Sequence, residues 1–364
     1  MSPFSLRAGT PGVADAHAWL ATHAAALDDN RTQTAAVLPT LAAARLFHIG
    51  VPVAWGGDGG DVRDGIAAIA AVAEHSLTAA FMFWGHRAFI EYLLQSPNAA
   101  LRERWLPALL DGHHAGATGL SNAMKFLSGI EALQVRARPA GDGWSLDGQL
   151  QWATNLRAGQ FIVAAAVERT DGGPPFIAAL PSDRAGLTRS DDLDLIALRG
   201  SDTASLRVEA LPLAASDLVH ANAREFLPRV RPAFLGLQCG LSIGLARAAL
   251  DAAQTLGGTA RPVLQGPVNR AHETLYQLTA ALHEGLADNR FVAQPAALFR
   301  IRIQLAEVVQ QATQLELQAS GGRGYHRDQP LACARRWREA AFIPIVTPSI
   351  TQLQGELLKQ AAPA

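Results

Sequence analysis

Residues 133–155, LQVRARPAGDGWSLDGQLQWATN, decide how the chain is built. Leu133, Val135 and Ala137 alternate with polar neighbours, the period of two that turns successive side chains to opposite faces of a half-buried strand. Gly141-Asp142-Gly143 is a turn signal, and residues 144–150 predict the returning strand of a hairpin. Three further stretches, 161–167, 176–180 and 205–211, read as strands, with Pro and Gly at the turns between them. Together they predict a β region over 113–218.

Outward from this stretch the period changes to that of helices. On the N-terminal side Trp19, Leu20 and Leu27 share one face, and Leu38, Leu41, Ala44 and Phe47 make an i, i+3 stripe. Pro52 and the pairs Gly56-Gly57 and Gly59-Gly60 break the pattern into a loop over 51–60. A long apolar stretch then runs over 65–94. On the C-terminal side Leu237, Leu241, Leu245 and Ala249 fall four residues apart. Ile301, Leu305, Val308, Val309, Ala312 and Leu315 trace a second stripe opposite Gln and Glu. Helices, then strands, then helices predict an α+β chain with segregated regions, 1–112, 113–218 and 219–364, and not a doubly wound sheet. Two or more long antiparallel helices in the last region would make a bundle.

At 364 residues the chain exceeds one ordinary core. It is 49% hydrophobic and 17% charged, the profile of a globular protein. A formal net charge of -1, with no basic tract, argues against nucleic acid as a partner. The start, MSPFSLRAGT, carries no apolar core of signal-peptide length, and the run at 161–167 is too short to span a bilayer. With only Cys239 and Cys333, neither a disulfide framework nor a cysteine metal site is expected. The expected setting is cytoplasmic, without membrane association.

Several motifs, in order, resemble the acyl-CoA dehydrogenase family. LFHIGVPVAWGGDGGD (46–61) is similar to the family's loop between early helices, and RWLPALLDGHHAGATGLSN (104–122) to the segment entering its β domain. LDGQLQWATN (146–155) resembles its strand motif, and LRGSDTASLRVEALPL (198–213) the end of that domain. LQASGGRGYHRDQP (317–330) carries a Q-x-x-G-G-x-G-Y signature through Gln318, Gly321, Gly322, Gly324 and Tyr325. The resemblance implies an N-terminal helical domain, a central β-barrel or sandwich, and a C-terminal four-helix bundle. It also implies FAD as cofactor and assembly as a homotetramer or homodimer.

By the same resemblance Trp152 and Thr154 occupy flavin-contacting positions. The residues alone allow this, since a strand aromatic can flank the ring while a hydroxyl two residues on faces the same side. A buried core Trp with a β-branched filler is the alternative reading. Gln318, Gly321 and Gly322 match a segment that contacts the flavin of a neighbouring subunit; alone, such glycines also suit a helix cap and turn. Arg261, followed by Gly266, resembles an Arg-x-x-Phe-Gly element reaching the diphosphate, although here the Phe is missing and the spacing is one residue longer.

Two departures bear on the chemistry. The loop entering the β region lacks the family's T-E-P-x-x-G-S-D stretch: Ser121 or Asn122 stands for the threonine and Ser128 for the serine, but the acid is absent. Oxidising an acyl-CoA also needs a positioned carboxylate to take the Cα proton. The family's usual position corresponds to 345–352, IVTPSITQ, which holds no acid, and the minority position falls near Phe234. Glu339, Glu273 and Glu356 are the nearest carboxylates in sequence, each with an ordinary reading as a solvated helix residue.

The expected function is thus an FAD-dependent oxidoreductase taking hydride from a small substrate such as an acyl-CoA thioester, with no assigned base. Two alternatives stand beside it. One is a two-component monooxygenase on the same fold, fed by a flavin reductase, in which Ser121, Asn122 and His86 would supply polar groups. The other is a paralogue that keeps the fold and has lost activity.

Overall fold

The computed structural model describes residues 12–256, 258, 261–326 and 332–361. Five helices open the chain: α1 (Val13–Asp29), α2 (Thr34–Ala43), α3 (Val62–His75), α4 (Leu77–Gln95) and α5 (Ala99–Leu110). Local chemistry sets their starts. Asp61 accepts from Arg63 N while Asp64 reaches back to Asp61 N, a capping box that opens α3. Ser76 and Asn98 cap α4 and α5 with side-chain oxygens. The Gly-rich loop between α2 and α3 is where the sequence predicts it, with Gly56, Gly59 and Gly60 at positive φ.

The β region contains β1 (Ala115–Thr118), a short helix α6 (Ser121–Leu127), β2 (Val135–Ala140), β3 (Gly143–Ala153), β4 (Phe161–Arg169), β5 (Phe176–Pro181), β6 (Leu187–Arg189), β7 (Ala204–Leu213) and β8 (Leu218–His220). They form one mixed sheet in the order β6-β7-β3-β2-β4-β5-β8, with β1 parallel to the first half of β4. The hairpin predicted from 133–150 is the β2–β3 pair, Ala140 opposite Gly143. Among the described residues the end strands β6 and β8 do not pair with each other, so the sheet is not a closed barrel. Strand β5 and the first seven residues of β4 are buried without interruption, which is why they read as continuous apolar runs and not as alternation.

Two irregularities shape β3. Gly148 sits at φ 142, and a Cβ there would lie 2.1 Å from the Gln134 carbonyl, so the backbone of the β2 approach occupies the space of a side chain. Between Leu150 and Ala153 the strand carries one residue more than β7 opposite, where Leu206 and Ala204 are the partners. That bulge contains Gln151 and Trp152 and re-aims them.

The remaining helices are α7 (Ala223–Leu256), α8 (Arg261–Ala287), α9 (Arg290–Ala293), α10 (Pro295–Ser320), α11 (Gly322–Tyr325), α12 (Cys333–Ala340) and α13 (Ile350–Ala361). Three are long, α7, α8 and α10, and α7 packs on α3 and α4 as well as on α8 and α10. The expected C-terminal bundle is therefore continuous with helices of the N-terminal region. Helix α7 is long and apolar enough to cross a membrane, yet 89% of its most apolar window is buried inside the protein. Its approach to α3 is made by Gly236, Gly240 and Gly244, four residues apart. A Cβ at Gly240 would meet the Ile66 carbonyl at 2.9 Å, and one at Gly244 the Ala70 carbonyl at 2.1 Å. Only glycine lets the two backbones come this close.

Candidate functional site

A cleft of about 360 Å³ opens where α4, the β1–α6 link, the end of β3 and the segment after α12 meet. Phe81 and Trp84 of α4 stack nearly parallel, 5.5 Å apart, and Phe342 meets Phe81 edge-on at 4.6 Å. Behind them Phe234 of α7 packs on Trp84 at 5.2 Å. These rings make a dry aromatic floor, and Leu150 and Val346 add aliphatic surface. The mouth is polar: Ser121, Asn122 and Lys125 of α6 face Glu131, Gln134 and Gln151.

The bulge in β3 presents Trp152 at this mouth, 39% exposed, and Thr154 inside it. Thr154 is 2% exposed, and its hydroxyl donates to the Ser201 carbonyl at 3.0 Å. It also accepts from Thr203, whose hydroxyl is joined to that of Ser201. With its proton engaged, Thr154 can offer an occupant only a lone pair. Asn122 lies in the cleft, but its amide donates to Glu131 and to the Ala132 carbonyl while its oxygen accepts from Gln134 N. Its side chain pins the 131–134 segment into the mouth.

The other sequence-predicted positions lie elsewhere. Ser128 caps α6 and lines a neighbouring, smaller pocket with Arg231, Phe299 and Glu356. His86 is fully buried away from the cleft: its Nε2 donates to the Leu109 carbonyl and its Nδ1 accepts from Gly116 N, both at 2.9 Å. That pattern fixes the tautomer, and burial lowers its pKa to about 4. Both ring nitrogens serve the backbone, so His86 is a packing residue against Phe47.

Glu339 is also corrected. It is completely buried and ion-paired with Arg335, and lies outside the cleft. Glu273 is on a separate surface groove of α8 with Arg247 and His272. Gln318, Gly321 and Gly322 are exposed at the end of α10, and none of them lines the cleft. Arg261 opens α8, and its side chain lies outside what is described.

Two features of the cleft escape a reading of the sequence. One is the aromatic floor, whose members come from three separated segments and share no local pattern. The second is Glu131, the one carboxylate among the described residues lining the cleft. Its Oε1 pairs with Lys125 at 3.3 Å and accepts from Asn122 at 2.8 Å. The wall of Phe342, Ile345, Val346 and Thr347 holds no acid, in keeping with the sequence of 345–352.

Known proteins share this architecture and parts of this sequence. The family model described as "Acyl-CoA dehydrogenase, N-terminal domain" matches residues 13–113. The chain is similar to mitochondrial isovaleryl-CoA dehydrogenase of Arabidopsis thaliana, 28% identical over 45% of this chain and 41% of that protein. It is also similar to the mitochondrial short-chain specific acyl-CoA dehydrogenase of Sus scrofa, 26% identical over 73% of this chain and 68% of that one. Among solved structures, a glutaryl-coenzyme A dehydrogenase superposes with a TM-score of 0.77 at 16% identity, covering 95% and 93% of the two chains. A nitrososynthase from Micromonospora carbonacea superposes at 0.80 and 21%, covering 100% and 98%. Motif order, fold and these matches agree: residues 13–113 match the N-terminal domain of the acyl-CoA dehydrogenase family, and nearly the whole chain has the fold of its solved neighbours.

Proposed function

We propose that this chain is a flavin-dependent oxidoreductase that holds the isoalloxazine ring and a small organic substrate in the aromatic-floored cleft. The observation that carries the reading is the convergence of Trp152, Thr154 and Ser121 on that cleft. FAD is the usual cofactor of the family. The cleft's volume is near the lower end of the roughly 300–1,000 Å³ typical of ligand pockets. A flat, conjugated ring with one polar edge would fit such a lining. When bound, flavin supplies a two-electron acceptor.

The chain's own residues then have separable tasks. Trp152, at the mouth of the cleft, would flank the ring and shield it from solvent. Thr154, fixed by Ser201 and Thr203, would offer one lone pair to the ring's polar edge, and Ser121 a hydroxyl. Phe81, Trp84 and Phe342 exclude water from the reacting region. Lys125, Glu131, Gln134 and Gln151 orient a polar substrate end at the mouth.

For dehydrogenation of an acyl thioester, a base must take the Cα proton. Glu131 is the candidate, since both of its described contacts fall on Oε1. The proton would pass from substrate Cα to the carboxylate that Lys125 and Asn122 hold. A second reading is favoured by the acid-free wall: oxygen-using flavin chemistry on this fold, which needs no Cα base. We further infer an oligomer in which the exposed end of α10, with Tyr325 86% exposed, meets another copy.

An anaerobic titration of the FAD-loaded protein with acyl-CoA thioesters of increasing length tests the first reading. Bleaching of the flavin supports dehydrogenation. No bleaching, with dithionite still able to reduce the flavin, removes the dehydrogenase reading and leaves the oxygen-using one.

A further inference from the structure

Behind the cleft wall lies a charge with no counter-ion among the described residues. Arg302 of α10 is 0% exposed. Its Nε donates to Gln238 Oε1 at 2.8 Å and one terminal nitrogen donates to the Ile343 carbonyl at 2.7 Å. The other terminal nitrogen is buried without a described partner. Gln238, equally buried on α7, donates onward to the Thr347 carbonyl at 3.1 Å. The relay therefore ties both ends of the 343–347 segment, and three residues of that segment line the cleft.

The thiol of Cys239, whose charge would oppose that of Arg302, is pushed up to about 12 by burial and stays neutral. A guanidinium keeps its proton even when buried. Removing such a charge from water costs several kcal/mol, which neutral carbonyl and amide acceptors only partly offset. Tying down two carbonyls does not require a charge, because a neutral network of amides could do that. The charge is the feature left over, and it lies one hydrogen bond behind a wall that has no acid of its own.

We propose that Arg302 is a positioning residue whose buried positive charge biases the cleft towards an electron-rich, anionic occupant, so that reduced flavin is held more tightly there than oxidised flavin. This rests on the flavin reading of the cleft and adds to it a polarity: the wall that lacks a carboxylate presents the field of a cation. Through a low-dielectric wall that field is screened little. The same bias would favour an anionic group on a substrate seated against Val346 and Thr347.

The test uses purified, flavin-loaded protein and reads the midpoint potential of the bound flavin, together with flavin affinity. Arg302→Gln keeps hydrogen-bonding capacity and removes the charge; Arg302→Met is a second neutral variant. Each should lower the ratio of reduced to oxidised affinity about tenfold, a fall of about 30 mV for a two-electron couple. Arg302→Lys should restore the potential. Gln238→Leu cuts the tether to Thr347 while leaving the charge, and should leave the potential near that of the unmodified protein. Unchanged potentials in the neutral variants, or a loss in the Lys variant equal to theirs, would overturn the proposal. So would failure of both neutral variants to fold, which would assign the charge to the core. If the unmodified protein binds no flavin, the functional reading falls first and this inference with it.

Discussion

Arg335 binds both carboxylate oxygens of Glu339 at 2.7 Å, and the same Glu339 accepts the Leu77 N–H at 3.2 Å. The acid three residues before the cleft wall thus ties α12 to the first turn of α4, whose Phe81 and Trp84 form the cleft floor. Burial raises the Glu339 pKa, while Arg335 beside it opposes that shift. Its position in sequence makes it a candidate base; its partners make it a strut.

Glu339→Gln removes the charge and leaves Arg335 facing an amide. Breaking a buried pair of this kind costs about 3–5 kcal/mol, read as a lower denaturation midpoint in urea. Flavin affinity of the folded fraction should stay within about twofold, a change of roughly 0.4 kcal/mol. A stability loss below about 1 kcal/mol would contradict the structural role.

His86 predicts a pH dependence. Its pKa is lowered to about 4 in the folded chain, against about 6.5 when unfolded. A depressed value means that the unfolded chain binds the proton first as pH falls. Stability is therefore fully present above about pH 6.5 and is lost as pH drops towards 4, by up to about 3 kcal/mol at 1.36 kcal/mol per unit. His283, also lowered to about 4, adds to the same window. Denaturant titrations between pH 4 and 7 should show a shallower slope for His86→Gln. An unaltered slope would place His86 in a wetter site than the structure gives it.

Glycine substitutions should split by site. Gly244→Ala puts a methyl against the Ala70 carbonyl at the α3–α7 crossing and should destabilise by about 1–3 kcal/mol or more. Gly355→Ala, inside α13 with nothing within 4 Å of the new methyl, should stabilise by about 0.5–1 kcal/mol. Thermal unfolding of the two variants checks both signs, and a destabilised Gly355→Ala would count against the α13 packing.

Legibility in the sequence depends on pattern length. The β2–β3 hairpin is readable because Val135 and Ala137 alternate and Gly141 and Gly143 mark the turn. Strand β1, AGAT, is fully buried and too short and small to alternate, and β6 and β8 have three residues each. The leucine stripe 237, 241, 245 is visible, but the adjacent glycine row that brings α7 against α3 looks like ordinary helix until the partner backbone is seen. In the cleft, Trp152, Thr154, Ser121 and Asn122 can be picked out because one motif and one loop hold them. Phe81, Trp84, Glu131 and Phe342 cannot, because only tertiary packing gathers them. Glu339, so close to the wall in sequence, misleads because α12 turns it inward to Arg335.

Trp152 offers the sharpest single-site test of the cofactor side. Trp152→Ala should weaken flavin binding three- to tenfold or more, the equivalent of about 0.5–1.5 kcal/mol for a lost aromatic contact. Trp152→Phe should recover most of that affinity. Equal affinity in all three proteins would remove Trp152 from the flavin site.

Whether the cleft holds flavin at all is decided by an equilibrium titration of the purified protein with FAD, following flavin fluorescence and absorbance to saturation. Saturable binding of one flavin per chain is expected, with a perturbed flavin spectrum and weaker binding in Trp152→Ala. A protein that is colourless as purified and shows no saturable change with added FAD would contradict the assignment of this cleft to a flavin.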